Sequence, residues 1–264
     1  MTSQALPNTT VIVTGAAGGL GKVIATAFLE AGANVAICDI NKDRLDAAAQ
    51  EFLSSFADKF LAREADTTSE VAVDQLFQET VRKFGRVDIL VNNAAVMDSF
   101  DPAGTCSHET WDRLLNINLT GPFLTTKAAV KTMEAQTPPG GTIINMGSNA
   151  SICGSNAGVA YTVTKHGILG LTRNTAAFYE EKGITCTMLQ LGGLEATNIS
   201  DAFAKGMNME GLKLMQRNMP CFKQGVTDVS LRDVAKFCVL LADRSIAKTM
   251  NGAAVPFNKN WPPA

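Results

Sequence analysis

The chain has 264 residues, is 46% hydrophobic and 18% charged, and carries a formal net charge of -2. That balance fits a compact globular protein with a sizeable core, and the absence of a basic stripe excludes nucleic acid as an expected partner. No uninterrupted apolar stretch reaches the ~18 residues of a membrane span.

The elements follow in chain order. "TVIVT" (10–14) reads as the first strand, and 19–31 as a helix with apolar spacing. "NVAICD" (34–39) is the second strand, followed by a helix over 42–57. "FLARE" (60–64) is the third, with a helix over about 69–84. "VDILVNN" (87–93) is the fourth, and a long helix at about 108–136 follows, broken or restarted near Gly121-Pro122. "GTIINMG" (141–147) is the fifth strand, 159–181 a long helix, and "ITCTMLQL" (184–191) the sixth strand. Residues 195–225 read as irregular and rich in methionine, before a helix near 231–243 and a last strand near 252–257.

The strands are near-continuous apolar runs, as expected where both faces of a parallel sheet are covered. Strand–helix alternation repeated six times predicts an α/β fold: a single-domain, doubly wound Rossmann sheet of about seven parallel strands with helices on both faces. No linker, repeat or low-complexity segment divides the chain, so residues 1–264 are expected to form one domain. The polar opening "MTSQALPNTT" lacks the regions of a signal peptide. The ending "NKNWPPA" carries no obvious targeting signal. Cysteines stand at 38, 106, 153, 186, 221 and 238 without a C-x-x-C pair. No metal is expected, and reduced thiols in a cytoplasmic setting are.

In such a sheet, ligands bind beyond the carboxyl ends of the strands. After the first strand stands "TGAAGGLG", whose Gly15, Gly19 and Gly21 open a helix. Glycine permits the tight turn, and the helix N-terminus offers free N–H groups to a pyrophosphate. No G-K-[ST] follows, so this is not a P-loop. The second strand ends at Asp39, 18 residues after Gly21. A carboxylate there can accept hydrogen bonds from an adenosine ribose diol and would repel a 2′-phosphate. No Arg or Lys lies between Gly15 and Gly21, Ile40 follows Asp39, and Lys22 and Lys42 are nearby. NAD is therefore expected over NADP. A solvated turn residue is the plainer reading of Asp39.

The spacing T-G-x-x-x-G-x-G resembles that of the short-chain dehydrogenase/reductase family. The likeness extends over about residues 9–257. Tyr161 and Lys165 stand at i and i+4 in "GVAYTVTKHGILG" and can share one helix face. Ser148 closes the fifth strand 13 residues before Tyr161, and Asn118 lies in "WDRLLNINLTG". The resemblance implies a catalytic tetrad Asn118–Ser148–Tyr161–Lys165. It also implies a cofactor-binding set: Gly15, Gly19, Leu20, Gly21, Asp39, Ile40, Asp66, Thr67, Asn93, Ala94, Ala95, Tyr161, Lys165, Gly192, Leu194 and Thr197. Neither Lys22 nor Lys42 sits where that family places its phosphate-binding base. An N-cap for the next helix equally explains the Thr67–Ser69 stretch, and asparagines bracing adjacent loops equally explain Asn92-Asn93. The family usually has N-N-A-G, so Ala95 is a departure that would cost strain if φ there were positive.

Hydride movement between a carbinol carbon and nicotinamide needs a matching proton transfer at oxygen. A free phenol has a pKa of about 10, a poor base near neutrality. The Lys165 ammonium and the oxidised nicotinamide are expected to favour phenolate. A fall of about three units asks roughly 4 kcal/mol of differential stabilisation. Ser148 would hold the substrate oxygen beside the phenol, and Lys165 would also bind the nicotinamide ribose. Asn118 would bind a water that relays protons. His166 falls on another helix face. No G-x-S-x-G elbow surrounds Ser148, so hydrolase chemistry is disfavoured.

After the sixth strand the family usually has Pro-Gly and then Thr, whereas this chain has "QLGGLEATNIS". The freedom of Gly192-Gly193 is expected to loosen the nicotinamide end. Residues 195–225 are expected to form a substrate lid carrying Phe203, Met207, Met209, Leu212, Leu214, Met215, Met219 and Phe222, with Met97 at the pocket border. Such a stripe suits a bulky apolar substrate, or simply packs the lid onto the body. The expected function is NAD-dependent interconversion of a secondary alcohol and a ketone on an apolar, cyclic or secondary-metabolite substrate. The alternatives are a nucleotide-binding sensor or scaffold and a non-redox step such as cyclisation. The resemblance also implies a homotetramer or homodimer, with the helices at about 108–136 and 159–181 meeting partners.

Overall fold

Seven strands align in one parallel sheet in the computed structural model, which describes residues 5–195, 197, 199, 206–219, 223 and 225–259. They are β1 (Thr10–Thr14), β2 (Asn34–Asp39), β3 (Phe60–Glu64), β4 (Ile89–Asn92), β5 (Gly141–Met146), β6 (Ile184–Leu191) and β7 (Ala254–Phe257). Their order is β3-β2-β1-β4-β5-β6-β7, so the winding direction reverses between β1 and β4. Register sets Thr14 beside Cys38, Val13 beside Val91, and Asn92 beside Asn145. The loops leaving β1, β2, β4 and β5 therefore start at one edge, the place where such sheets bind ligands.

The helices are α1 (Gly19–Glu30), α2 (Lys42–Phe56), α3 (Glu70–Phe84), α4 (His108–Leu115), α5 (Gly121–Ala135), α6 (Val159–Tyr179), α7 (Met209–Asn218), α8 (Leu231–Leu240) and α9 (Arg244–Thr249). Alternation along β1 divides the core. Val11 and Val13 face one side, with Ile24 and Phe28 of α1 and Val234 of α8. Ile12 faces the other, with Leu76 of α3 and Ala129 and Met133 of α5. Phe28 and Leu76 are fully buried, each contributing about 1.5–3 kcal/mol by leaving water.

The expected α/β class, parallel sheet and helical layers are borne out. The break expected near Gly121-Pro122 is there: α5 starts at Gly121, after a π-helical turn, Asn116–Thr120, that joins it to α4. Two details differ. The methionine-rich stretch read as irregular contains α7, capped by Asn208, whose Oδ1 accepts from the Gly211 N–H at 3.0 Å. Gly211 within the first turn had concealed it, because glycine weakens helices. The short α9 follows Asp243, whose side chain caps it. Phe203, Cys221 and Phe222 lie outside the described residues.

Candidate active site

A cavity of about 630 Å³ opens at the carboxyl edge of the sheet. Of the residues picked from sequence, Gly15, Gly19, Leu20, Asp39, Ile40, Asp66, Thr67, Asn93, Ala94, Ala95, Ser148, Tyr161, Lys165, Gly192, Leu194 and Thr197 line it. Gly21 and Asn118 lie behind the wall.

The glycine loop has the shape an anion requires. Gly15 and Gly19 take positive φ, +61° and +52°. A Cβ on Gly15 would stand 2.7 Å from Ala94 Cα, and one on Gly21 2.4 Å from the Gly15 carbonyl oxygen. The first turn of α1 has no side-chain cap and no acidic residue. Its N–H groups and positive dipole end thus remain available to a phosphate. This loop fits a dinucleotide pyrophosphate.

Asp39 is half-buried. Its Oδ2 accepts from the Ala17 N–H at 3.1 Å and its Oδ1 from the Asn41 N–H at 2.9 Å. Each carboxylate oxygen can accept a further bond, so a ribose diol can be added without breaking this anchor. Lys22 and Lys42 are committed to Glu51 and Asp46, each at 2.5 Å. Asp66 closes a turn on Thr68, while Ser69 caps α3.

Asparagines brace the loops, as one reading of them expected. The Asn93 Nδ2 donates to the Thr14 and Gly15 carbonyls, both at 2.9 Å. Buried Asn92 joins Thr125, Thr126 and Asn145. Among the described residues, the non-glycine positive φ angles belong to Asn8, Phe100 and Lys259, so Ala95 bears no such strain.

At the other end of the cavity α6 presents Tyr161 and Lys165. Both are buried, and the Lys165 Nζ lies 5.4 Å from the Tyr161 ring centroid. That Nζ donates to the Met146 carbonyl at 2.8 Å, which ties α6 to the end of β5. The Ser148 hydroxyl hydrogen-bonds the Tyr161 phenol. It also accepts from the Ala150 N–H at 3.1 Å, so a capping box fixes its position.

Without the nicotinamide, the phenol stands high. Burial pushes Tyr161 up to about 12, more than the Ser148 hydrogen bond offsets, and the Asp98 charge adds to the rise. Burial pushes Lys165 down to about 8. Excluding water disfavours both charged forms, and the Lys165 ammonium has its donor bond on a carbonyl rather than on the phenol. The remaining favourable charge would have to come from a cationic ligand.

The Asn118 side chain is likewise committed. Its Oδ1 accepts from the Val96 N–H and its Nδ2 donates to the Val96 carbonyl, both at 2.8 Å. The amide thus fixes the loop after β4. His166 is exposed and its Nδ1 lies 2.9 Å from the Thr162 carbonyl, away from the site.

Backbone hydrogen bonds hold both glycines after β6. The Gly192 N–H donates to the Phe257 carbonyl at 3.1 Å and the Gly193 carbonyl accepts from the Val229 N–H at 2.7 Å. A Cβ on Gly192 would stand 2.9 Å from Asn258 Cα, so a proline ring has no room and its missing N–H would break a bond. Leu194, just before the expected lid, and Thr197 and Ile199 within it line the cavity, whereas the described methionines of the lid do not. Leu212 and Met215 are half-buried and Met219 buried, whereas Met207, Met209 and Leu214 are exposed, so only part of the stripe packs onto the body.

Sequence reading missed several wall residues: Arg44, Arg113, Ile117 and Asn156. Met97 lines the cavity as expected. Asn156 is notable because neither polar atom of its buried amide has a partner. It also missed Asp98, buried behind Tyr161. No motif marks these positions. Among the described residues there is no group of acidic, histidine or cysteine side chains able to hold a metal, and no helix long and apolar enough to cross a membrane.

This architecture is that of a nucleotide-binding redox fold, and comparison with known proteins defines the family. The short chain dehydrogenase profile matches residues 9–208. The chain belongs to that family of oxidoreductases, whose members use NAD(P) and act on small molecules. It is 42% identical over 259 residues to the short chain dehydrogenase/reductase dpchG of Colletotrichum higginsianum, covering 98% of this chain and 96% of that one. It is 37% identical to 3beta-hydroxysteroid dehydrogenase 2 of Eggerthella lenta, over 97% of this chain and 95% of the relative. Among solved structures, levodione reductase superposes with a TM-score of 0.83 at 25% identity, covering 97% of this chain and 98% of the other.

Proposed function

We propose that the chain is an NAD-dependent oxidoreductase that interconverts a secondary alcohol and a ketone on an apolar, cyclic substrate. The carrying observation is convergence. The Tyr161 phenol, bonded to Ser148 and backed by Lys165, lines the same cavity as the glycine loop and Asp39. The hydroxysteroid dehydrogenase and the levodione reductase are relatives whose names carry cyclic substrates, and Val96, Met97, Leu194 and Ile199 give this cavity apolar walls.

The N–H groups of α1 and the turn at Gly15 would hold the pyrophosphate. Asp39 would take the adenosine ribose and favour NAD over NADP. NAD, when bound, supplies the hydride acceptor and a positive ring. Ser148 holds the substrate oxygen. As phenolate, Tyr161 takes the hydroxyl proton at its oxygen; as phenol, it gives that proton up in ketone reduction. Lys165 holds charge beside the phenol. To act as a base near neutral pH the phenol has to come down from about 12, so Tyr161 is the group most sensitive to cofactor charge.

Exposed Phe123 of α5 and Val163 and Phe178 of α6 are apolar positions that a second copy of the chain would cover. They support the homotetramer or homodimer, which light scattering reads directly. The described cysteines are free thiols, which supports a reducing, cytoplasmic setting. The decisive experiment incubates the protein with NAD and a panel of cyclic secondary alcohols and follows NADH absorbance. Turnover in the wild type that is lost in Tyr161→Phe sustains the reading. A product formed without net NADH change, or no turnover in either direction, overturns it.

A further inference from the structure

Helix α6 starts at a glycine. Gly158 takes the N-cap position and has no side chain to satisfy the orphan N–H groups of the first turn. A residue 60 positions earlier does that work. The Asp98 Oδ1 accepts from the Gly158 N–H at 3.0 Å, and its Oδ2 accepts from the Tyr161 N–H at 3.0 Å. Asp98 is buried, and its charge sits at the positive end of the helix, where an anion is favoured. The fit is close on both sides. A Cβ on Gly158 would stand 2.5 Å from the Asp98 Oδ2, so the missing local cap and the remote one are matched.

The same turn of chain grips α7. Phe100 adopts φ +65°, unusual for a bulky residue, and its N–H donates to the Asp98 Oδ1 at 3.1 Å. The Phe100 carbonyl rests against Gly211, where a Cβ would come within 2.0 Å. The Asn208 N–H donates to the Ser99 carbonyl at 2.8 Å, and its Nδ2 donates to the Asp101 Oδ1 at 2.9 Å. The Asp101 carbonyl in turn accepts from the Val159 N–H at 2.9 Å. Residues 98–101 therefore hold the first turn of α6 with one edge and the N-terminus of α7 with the other.

We infer that Asp98 is a positioning residue for Tyr161, and that the 98–101 turn couples the pose of the catalytic helix to the docking of α7. The role of Tyr161 rests on the function proposed above; the coupling itself does not. Asp98 touches no reacting atom. It acts because an uncapped first turn frays, and a small displacement of a reacting group costs rate steeply. A displacement of α7 would reach Tyr161 through Asn208, the turn and Asp98.

Amide hydrogen exchange tests this without a substrate. Wild type, Asp98→Ala, Asp98→Asn and Asn208→Ala are compared at the Gly158 and Tyr161 amides. Asp98→Ala should speed both by about tenfold or more, and Asp98→Asn, which keeps one acceptor oxygen, by less. Asn208→Ala removes no bond to either amide, yet should speed them by about threefold. In the NAD assay, Asp98→Ala should lower kcat by about 10- to 100-fold with the KM for NAD within about twofold, and Asp98→Asn should recover part of it. If Asp98→Ala fails to fold, Asp98→Asn and Asn208→Ala decide. Unchanged exchange in those two, or kcat falling only in step with folded fraction, overturns the proposal. Should Tyr161→Phe retain full turnover while exchange responds as stated, the functional reading fails and the coupling stands.

Discussion

The two ends of the cavity are built differently. The nucleotide end consists of short local pieces: a glycine turn leaving β1, a carboxylate ending β2, and a helix whose uncapped N-terminus faces the space between them. Each piece does its work through backbone geometry. The catalytic end is assembled at long range. Tyr161 and Lys165 are local to α6, but Asp98 fixes that helix at its start, Met146 receives the Lys165 ammonium, and Asn118 holds the loop that leads to Asp98. A local design tolerates sequence change outside its few glycines. A long-range design makes the reacting group answer to distant packing.

Substitutions separate the ends. The largest effect belongs to Tyr161→Phe, which should lower kcat by about 100- to 10,000-fold, the usual worth of a positioned acid–base group. NAD affinity, measured by fluorescence titration, should hold. A parallel loss of affinity would mean that the two ends are not separable.

Next in size is a gain. An unfolded lysine holds its proton up to 10.5, whereas Lys165 in the fold releases it at about 8. Below the lower value both states are charged, and the fold bears the whole cost of a buried ammonium. Between the two values only the unfolded chain stays protonated, so stability rises with pH. Lys165→Met should therefore stabilise the protein at neutral pH by up to about 3 kcal/mol while removing turnover. The gain should shrink above pH 8 and be largely gone near 10.5. Urea melts at three pH values read this, and a destabilised variant would mean that the Met146 contact outweighs the burial cost.

At the nucleotide end, Asp39→Ala removes a charged acceptor. NAD affinity should fall by about 10- to 100-fold, as expected of a charged hydrogen bond, with the NADP-to-NAD preference rising. The kcat at saturating cofactor should hold. Equal loss for both cofactors would assign Asp39 to bracing Ala17 alone.

The same contrast explains what the chain disclosed as sequence. β1, β2 and β6 stand where their apolar runs placed them, because burial on both faces leaves little choice of residue. The glycine loop, Asp39, Ser148, Tyr161 and Lys165 were legible because each follows a strand or shares a helix face. Asp98 was not. Between "NNAAVM" and "SF" it looks like any loop acid, and only the folded chain brings it to a helix start 60 residues on. Asn156 escaped for the same reason. The rise of the Tyr161 phenol in the ligand-free fold was not legible, because proximity to a lysine is visible in a sequence whereas desolvation is not.

The smallest effect bears on the junction of the two ends. Ala95 follows the asparagines that brace the glycine loop, and it stands where the family usually has glycine. Its φ is not positive, so the methyl group imposes no left-handed strain. Ala95→Gly should then relieve nothing. It should instead cost a little through the greater freedom of the unfolded chain, about 0.4–1 kcal/mol, read as a small drop in the urea midpoint. NAD affinity and kcat should stay within about twofold, since the side chain meets the cavity wall without supplying a polar contact. A rise in stability would show that alanine is strained there after all, and that the loop between nucleotide and catalytic ends is held less freely than its backbone angles imply.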